Sequence, residues 1–255
     1  MSNVLYVKKK ITLNSSQNVC QYLDPEREKL ITMIGEFHED SFKCSGDTMD
    51  ISEYCRNRLE ENKNCLVLLE YNSSYNSAPF NINSVPIREL SQEKRYKNRI
   101  KGWDTRWKYL NGNKGQTTLY YEELHDNEEL ERQFMKPLKR IFLEKGQKYS
   151  KKERLMLQNY EQKLKKDIQK LSLSSKVLQE KLRNIWMCVS DYEILKKILG
   201  KTGYDEIVIV AGKYHLDNLC PFFSHYFQKI HTSNIKSSNS CGTVYVPNTI
   251  KEILS

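Results

Sequence analysis

Three short apolar runs stand out in a largely polar chain: LITMI at 30–34, CLVLL at 65–69 and IVIVA at 207–211. Each is apolar at successive positions and closes on a glycine or a carboxylate, the pattern of a strand buried on both faces of a parallel sheet. Between the first two, Ile51, Tyr54, Cys55 and Leu59 recur at helical spacing behind Asp50. That spacing predicts an amphipathic helix with Asp50 as its cap. Strand, turn, helix and strand form the unit from which parallel sheets are assembled. Residues 4–12 alternate as a strand whose lysine run points to a sheet edge. Residues 98–103 (NRIKGW) predict a weaker strand and 243–247 (TVYVP) a last one. A helix is expected over 216–230, then a Ser/Asn loop over 231–241.

Residues 72–97 are rich in Asn, Ser and Pro and predict a long loop with a short helix near 86–96. From 123 to 199 the pattern is helical. Met156, Tyr160, Leu164, Ile168 and Leu171 make one stripe; Leu178, Leu182, Ile185 and Val189 make a second, behind Ser174 or Ser175. Pro137 should bend or interrupt the first helix. These helices read as a hairpin packed on the sheet, with a partner-binding arm or lid as the alternative. The expected architecture is one α/β domain over 1–255, with a central, mostly parallel sheet flanked by helices. A long helical insertion, 123–199, lies between its third and fourth core strands.

Composition narrows the function classes. With 38% hydrophobic and 11% aromatic residues in 255, the chain can bury a core. Its net charge of +9 comes from Lys and Arg spread along the sequence, without a recognisable nucleic-acid motif. We read this as a lysine-rich surface before a nucleic-acid-binding one. The seven cysteines are odd in number and show no CxxC spacing, which argues against a disulfide framework or a structural zinc site. No signal-peptide pattern and no apolar run of spanning length is present, so the expectation is an intracellular protein without a membrane span.

The candidate chemistry follows the strands. After LITMI come Gly35, Glu36 and His38; after CLVLL comes Glu70; after NRIKGW come Asp104 and Arg106; after IVIVA come Gly212 and His215. Ligands of open α/β sheets bind at the carboxyl ends of the strands, so these side chains are expected on one rim. His38, Glu70 and His215 suit a divalent metal ion (Zn, Mn, Co or Fe) that activates water. Without metal, His38 or Glu70 serves as general base and His215 as acid or electrophile. Arg106 suits a bidentate grip on an oxyanion, and Asp104 suits orienting a histidine or pairing with Arg106. Glu36 and Asp104 also suit helix caps, and Trp103 and Trp107 suit core positions. His125, His225 and His231 read as structural, the last two in or at the end of a helix. Cys220 has no surroundings in the sequence that predict an activated thiol.

The ordered set IGEFHED (34–40), LLEYNSS (68–74), GWDTR (102–106) and VAGKYHL (210–216) resembles the erythromycin esterase / ChaN-like / TraB–TIKI superfamily. The resemblance implies a sheet-centred α/β fold with the polar site at one rim. Its members include metal-dependent proteases, metal-free hydrolases, and haem- or iron-binding lipoproteins. Carried over residue by residue, it implies Glu36, His38, Glu70 and His215 as site residues. The composition and the stretch GWDTRWKYLNGNKGQTTLYYEEL also look like proteins of large DNA viruses. Three function classes follow. The favoured one is a hydrolase of an ester, amide or phosphoester, acting on a small molecule or peptide. The others are a non-catalytic virion or host-interaction protein, with a virion or host partner, and a basic nucleic-acid-associated protein. The expected location is host cytoplasm or virion.

Overall fold

The computed structural model describes residues 7–14, 16–36, 44–70, 85–103, 149–171, 178–199, 203–234 and 241–247. The chain divides into two compact units, Met1–Gly102 with Gly203–Ser255, and Trp103–Thr202.

The first unit is an α/β fold with a mixed sheet flanked by helices. Its strands are β1 (Val7–Leu13), β2 (Ser16–Asp24), β3 (Lys29–Glu36), β4 (Thr48–Met49), β5 (Cys65–Leu69), β6 (Ile100–Gly102), β7 (Glu206–Gly212), β8 (Gln228–Asn234) and β9 (Gly242–Pro247). Six of them form the main sheet, in the order β6-β5-β7-β3-β2-β8. The contacts β6–β5, β5–β7 and β7–β3 are parallel; β3–β2 and β2–β8 are antiparallel. The three apolar runs seen in the sequence are β3, β5 and β7, side by side and buried along their length except at Glu36.

Helices cover the two faces of this sheet. On one side α1 (Ile51–Glu61) buries Ile51, Tyr54, Cys55 and Leu59, the four positions set by its periodicity. These pack with Val19, Ile34, Cys65, Val67, Leu69, Val208 and Val210, one alternating set from each strand. Asp50 stands at the N-cap position but does not cap. Its carboxylate accepts a hydrogen bond from Asn14 Nδ2 at 2.8 Å instead, tying the helix start to the turn after β1. On the other side α5 (Lys213–Tyr226) buries His215, Leu216, Leu219 and Phe223. A Cβ on Gly35 would meet Leu216 at 3.2 Å, so the glycine lets α5 approach β3 closely.

Several sequence expectations change here. The lysine-bearing β1 is not an edge strand: it is the middle of a small sheet, β4-β1-β9. Its pairing with β4 involves only Thr12 and Leu13, so Lys9 and Lys10 still face solvent. The helix expected over 216–230 stops at Tyr226, and residues 228–234 are β8, so His231 lies in a strand. The short helix near 86–96 is α2 (Val85–Gln92) followed by a 3-10 turn, Lys94–Tyr96.

A disulfide joins Cys44 to Cys241, contrary to the expectation from cysteine count and spacing. The pairing is non-local, 197 residues apart in sequence, and no local motif could display it. It staples the segments that lead into β4 and β9, the two neighbours of β1. Closing so long a loop restricts the unfolded chain, and the bond is expected to contribute about 2–5 kcal/mol. Urea unfolding with and without dithiothreitol measures this, with Cys44→Ser as the control. Identical midpoints would show that the bridge contributes nothing.

In the second unit, α3 (Lys151–Gln169) begins with a capping box: Glu153 N–H donates to Ser150 Oγ, and Ser150 N–H donates to Glu153 Oε2. Met156, Tyr160, Leu164 and Ile168 are buried, as the stripe predicts, and Leu171 lies half-buried past the helix end. In α4 (Leu178–Ile198), Ile185 and Val189 are buried; the side chains of Leu178 and Leu182 lie outside the described set. Tyr160 donates to Asp191 at 3.2 Å and stacks on Tyr192, joining the two helices. Pro137, Ser174 and Ser175 fall outside the described residues. No helix among the described residues is long and apolar enough to cross a membrane.

Candidate functional site

The carboxyl ends of β3, β7 and β5 lie next to one another, and their register sets the site. Glu36 ends β3 directly beside Gly212, the last residue of β7. On the far side of β7, Leu69 pairs with Val210, and Glu70 follows it out of the sheet. The two carboxylates therefore flank β7, and His215 stands on the first turn of the helix that β7 feeds.

Glu70 and His215 meet. One carboxylate oxygen of Glu70 accepts the Gly212 N–H at 2.9 Å, and the other lies 3.5 Å from His215 Nε2. Gly212 is the N-cap residue of α5, so the carboxylate sits where the helix dipole favours negative charge. His215 is fully buried, while the Glu70 side chain keeps 17% of its exposure. The dyad thus has an inner imidazole and an outer carboxylate that reaches solvent. Tyr214, beside His215, is 40% exposed and turns its ring edge-on to the imidazole.

Glu36 takes the opposite face. Alternation along β3 puts it in phase with Ile34, which packs toward α1, and out of phase with Gly35, which meets α5. Its neighbour there is Cys55, whose thiol is pushed up by burial and further by the Glu36 charge. The sequence places Glu36 and Glu70 on one rim; the structure keeps them there but turns Glu36 toward α1. His38, Asp104 and Arg106 lie outside the described residues. Trp103 is buried, and Trp107 and His125 are not described. His225 is exposed on the last turn of α5, and His231 Nε2 contacts the Thr243 carbonyl oxygen at 2.8 Å.

Among the described residues, no group of three or more His, Cys, Asp or Glu side chains is placed to hold a metal ion. The Glu70–His215 pair does fit as part of such a set. Two ligands of a tetrahedral zinc at ~2.1 Å stand about 3.4 Å apart, close to the observed 3.5 Å between Oε1 and Nε2.

Two features at this rim were missed in the sequence. The Gly212 amide supplies a donor that fixes Glu70, and no side-chain pattern displays a backbone N–H. The half-exposed Tyr214 was passed over although it stands next to His215. Comparison with protein-family models, curated proteins and solved structures returned no match.

Proposed function

We propose that the chain is a hydrolase of ester, amide or phosphoester bonds, working at the carboxyl ends of β3, β5 and β7. The observation that carries this reading is the Glu70–His215 contact, held by the Gly212 amide beside the start of α5. In this reading Glu70, the outer member, takes a proton from water, and His215 holds and steadies the carboxylate from within. Gly212 N–H holds one Glu70 oxygen in place at 2.9 Å. Asp104 and Arg106, which follow β6, belong to the same proposal as orienting and anion-holding groups. The helical segment 123–199 is taken in the same reading as an insertion between the third and fourth core strands of a mostly parallel sheet.

A divalent metal of the Zn, Mn, Co or Fe type would be held by His38, Glu70 and His215. When bound it would supply a water of lowered pKa. The residues of this chain then position that water and exclude bulk solvent from the imidazole. The superfamily resemblance of the GExH, E, GxD and GxxH set supports this reading, and so does the placing of Glu70 and His215. An intracellular location, in host cytoplasm or virion, completes the proposal.

A second reading is supported by the complete burial of His215: a virion or host-interaction protein that keeps the fold, with Glu70 and His215 closing the end of β7. One experiment separates the two. Purified protein and a His38→Ala/His215→Ala variant are assayed on panels of aryl esters, peptides and phosphoesters, and their metal content is measured by elemental analysis. Turnover by the first and not by the second supports the hydrolase. Equal inactivity of both, with and without added zinc, manganese, cobalt or ferrous ion, removes it and leaves the second reading.

A further inference from the structure

The excess of positive charge is not spread evenly over the described helices. On α1 the exposed charged side chains are acids, Glu53, Glu60 and Glu61. On α5, exposed Lys213 is answered by Asp217 one turn on, at 3.3 Å. On α3 every exposed charged side chain is a cation: Lys151, Arg154, Lys163, Lys165 and Lys166. The other exposed positions of α3 are the amides Gln158, Asn159, Gln162 and Gln169, and one apolar residue, Leu155. The three carboxylates of the helix are withdrawn from this face. Glu153 is buried in the capping box, Glu161 is half-buried and paired with Lys165, and Asp167 is half-buried beside Lys170 at 3.7 Å.

Helical periodicity arranges the face. At about 100° per residue, Lys151, Gln158, Gln162 and Gln169 run up its middle. Arg154 and Lys165 then lie on one flank, Lys163 and Lys166 on the other. Met156, Tyr160, Leu164 and Ile168 fill the opposite side and are buried. With 19 residues the face is ~28 Å long.

We propose that this face of α3 is a docking surface for duplex DNA, with its cations on the phosphates and its glutamines toward the groove.

The chemistry of the face selects that partner. A DNA duplex carries one negative charge per ~1.7 Å of its axis. Cations on both flanks of a helix suit the two strands that border a groove. A glutamine amide both donates and accepts, so it bonds phosphate oxygens or base edges. The major groove of B-form DNA admits an α-helix, whereas that of duplex RNA is too narrow for side chains to read. Single strands are gripped by aromatic stacking, and the aromatic residue of α3, Tyr160, is buried. A membrane-surface helix sinks its apolar side into lipid. The apolar side of α3 is already packed, with Tyr160 donating to Asp191 of α4. Phosphate contacts carry no base information, so mixed-sequence DNA should bind. The inference is independent of the hydrolase reading.

The test adds the full-length chain to a fluorescein-labelled, mixed-sequence DNA duplex and follows anisotropy from about 50 to 200 mM NaCl. The variant Lys151→Gln/Arg154→Gln/Lys166→Gln should bind about tenfold weaker at the low-salt end. Its slope of log affinity against log salt should fall by about 2–3, because three phosphate contacts are lost. Circular dichroism checks that the helices persist. Gln158→Glu/Gln162→Glu, which sets carboxylates in the middle of the face, should weaken binding too, and it decides the matter if the triple variant unfolds. Lys9→Gln/Lys10→Gln/Lys63→Gln removes the same charge from exposed positions of the first unit and should leave affinity within about twofold. The proposal is overturned by no duplex binding at the lowest salt, or by equal losses in the α3 and first-unit variants. Tighter binding of the single strand, or of phosphatidylserine vesicles, overturns it as well.

Discussion

Replacing Glu206 with alanine is expected to lower the unfolding free energy by about 3–5 kcal/mol. Glu206 opens β7 and is 1% exposed, and its carboxylate receives Nε and Nη2 of Arg58, each at 2.7 Å. Asn62 Nδ2 donates to it at 3.0 Å. Removing the carboxylate leaves a guanidinium that is 8% exposed beneath α1, with Glu61 on the rim as its remaining ionic partner. The pair is bidentate and each guanidinium nitrogen donates a hydrogen bond, a geometry in which a buried charge is tolerated. Burial disfavours the Arg58 charge, but the Glu206 hydrogen bonds and charge outweigh it and raise its pKa. Urea unfolding of Glu206→Ala, Arg58→Ala and the double variant Arg58→Met/Glu206→Leu forms the test. The double variant should lose less than either single change, because it strands no charge. A single-variant loss under about 1 kcal/mol, the range of exposed pairs, would show that water replaces the partner.

The second large effect is kinetic. On any substrate that the hydrolase screen finds, Glu70→Gln is expected to lower kcat/KM by about two to four orders of magnitude. The amide keeps an oxygen for the Gly212 N–H, so the start of α5 should hold. His215→Gln should reduce activity in the same direction, and it also tests packing, since the imidazole is fully buried. The urea midpoint separates the two roles. Lost turnover with an unchanged midpoint fits a catalytic carboxylate. A lowered midpoint with unchanged turnover would make the dyad a structural lock and sink the proposal.

How much of this was legible beforehand depends on how each strand is buried. β3, β5 and β7 are covered on both faces, so almost every residue is apolar and the runs are plain. β2 and β8 are as much part of the sheet but read as polar. Gln21 is buried in β2 because its amide donates to Thr32 and to the Tyr245 carbonyl oxygen while accepting from the Tyr245 N–H. A polar side chain satisfied from another sheet looks, in sequence, like a loop residue. The position of Asp50 was legible but not its partner, because Asn14 lies 36 residues away.

The site divides along the same line. That Glu70 and His215 follow apolar runs is local information, and the carboxyl-end rule makes them neighbours once the strands are parallel. The turning of Glu36 toward α1 needed two facts absent from its own segment: which strand phase is buried against α1, and which against α5. The Tyr22–Cys220 hydrogen bond joins a strand that reads as polar to a helix far along the chain, so neither residue advertised the other.

The place of β7 between β3 and β5 has a consequence for how the polypeptide is made. Those two strands leave the ribosome early, both well before the second unit, yet they cannot zip together directly. Their shared neighbour is synthesised after the whole of the second unit. Until then two strongly apolar edges wait with unanswered amide and carbonyl groups, a state prone to wrong partners. Nascent chains stalled before Glu206 should therefore depend on chaperones, and the sheet closes only when its last central strand slides into the gap.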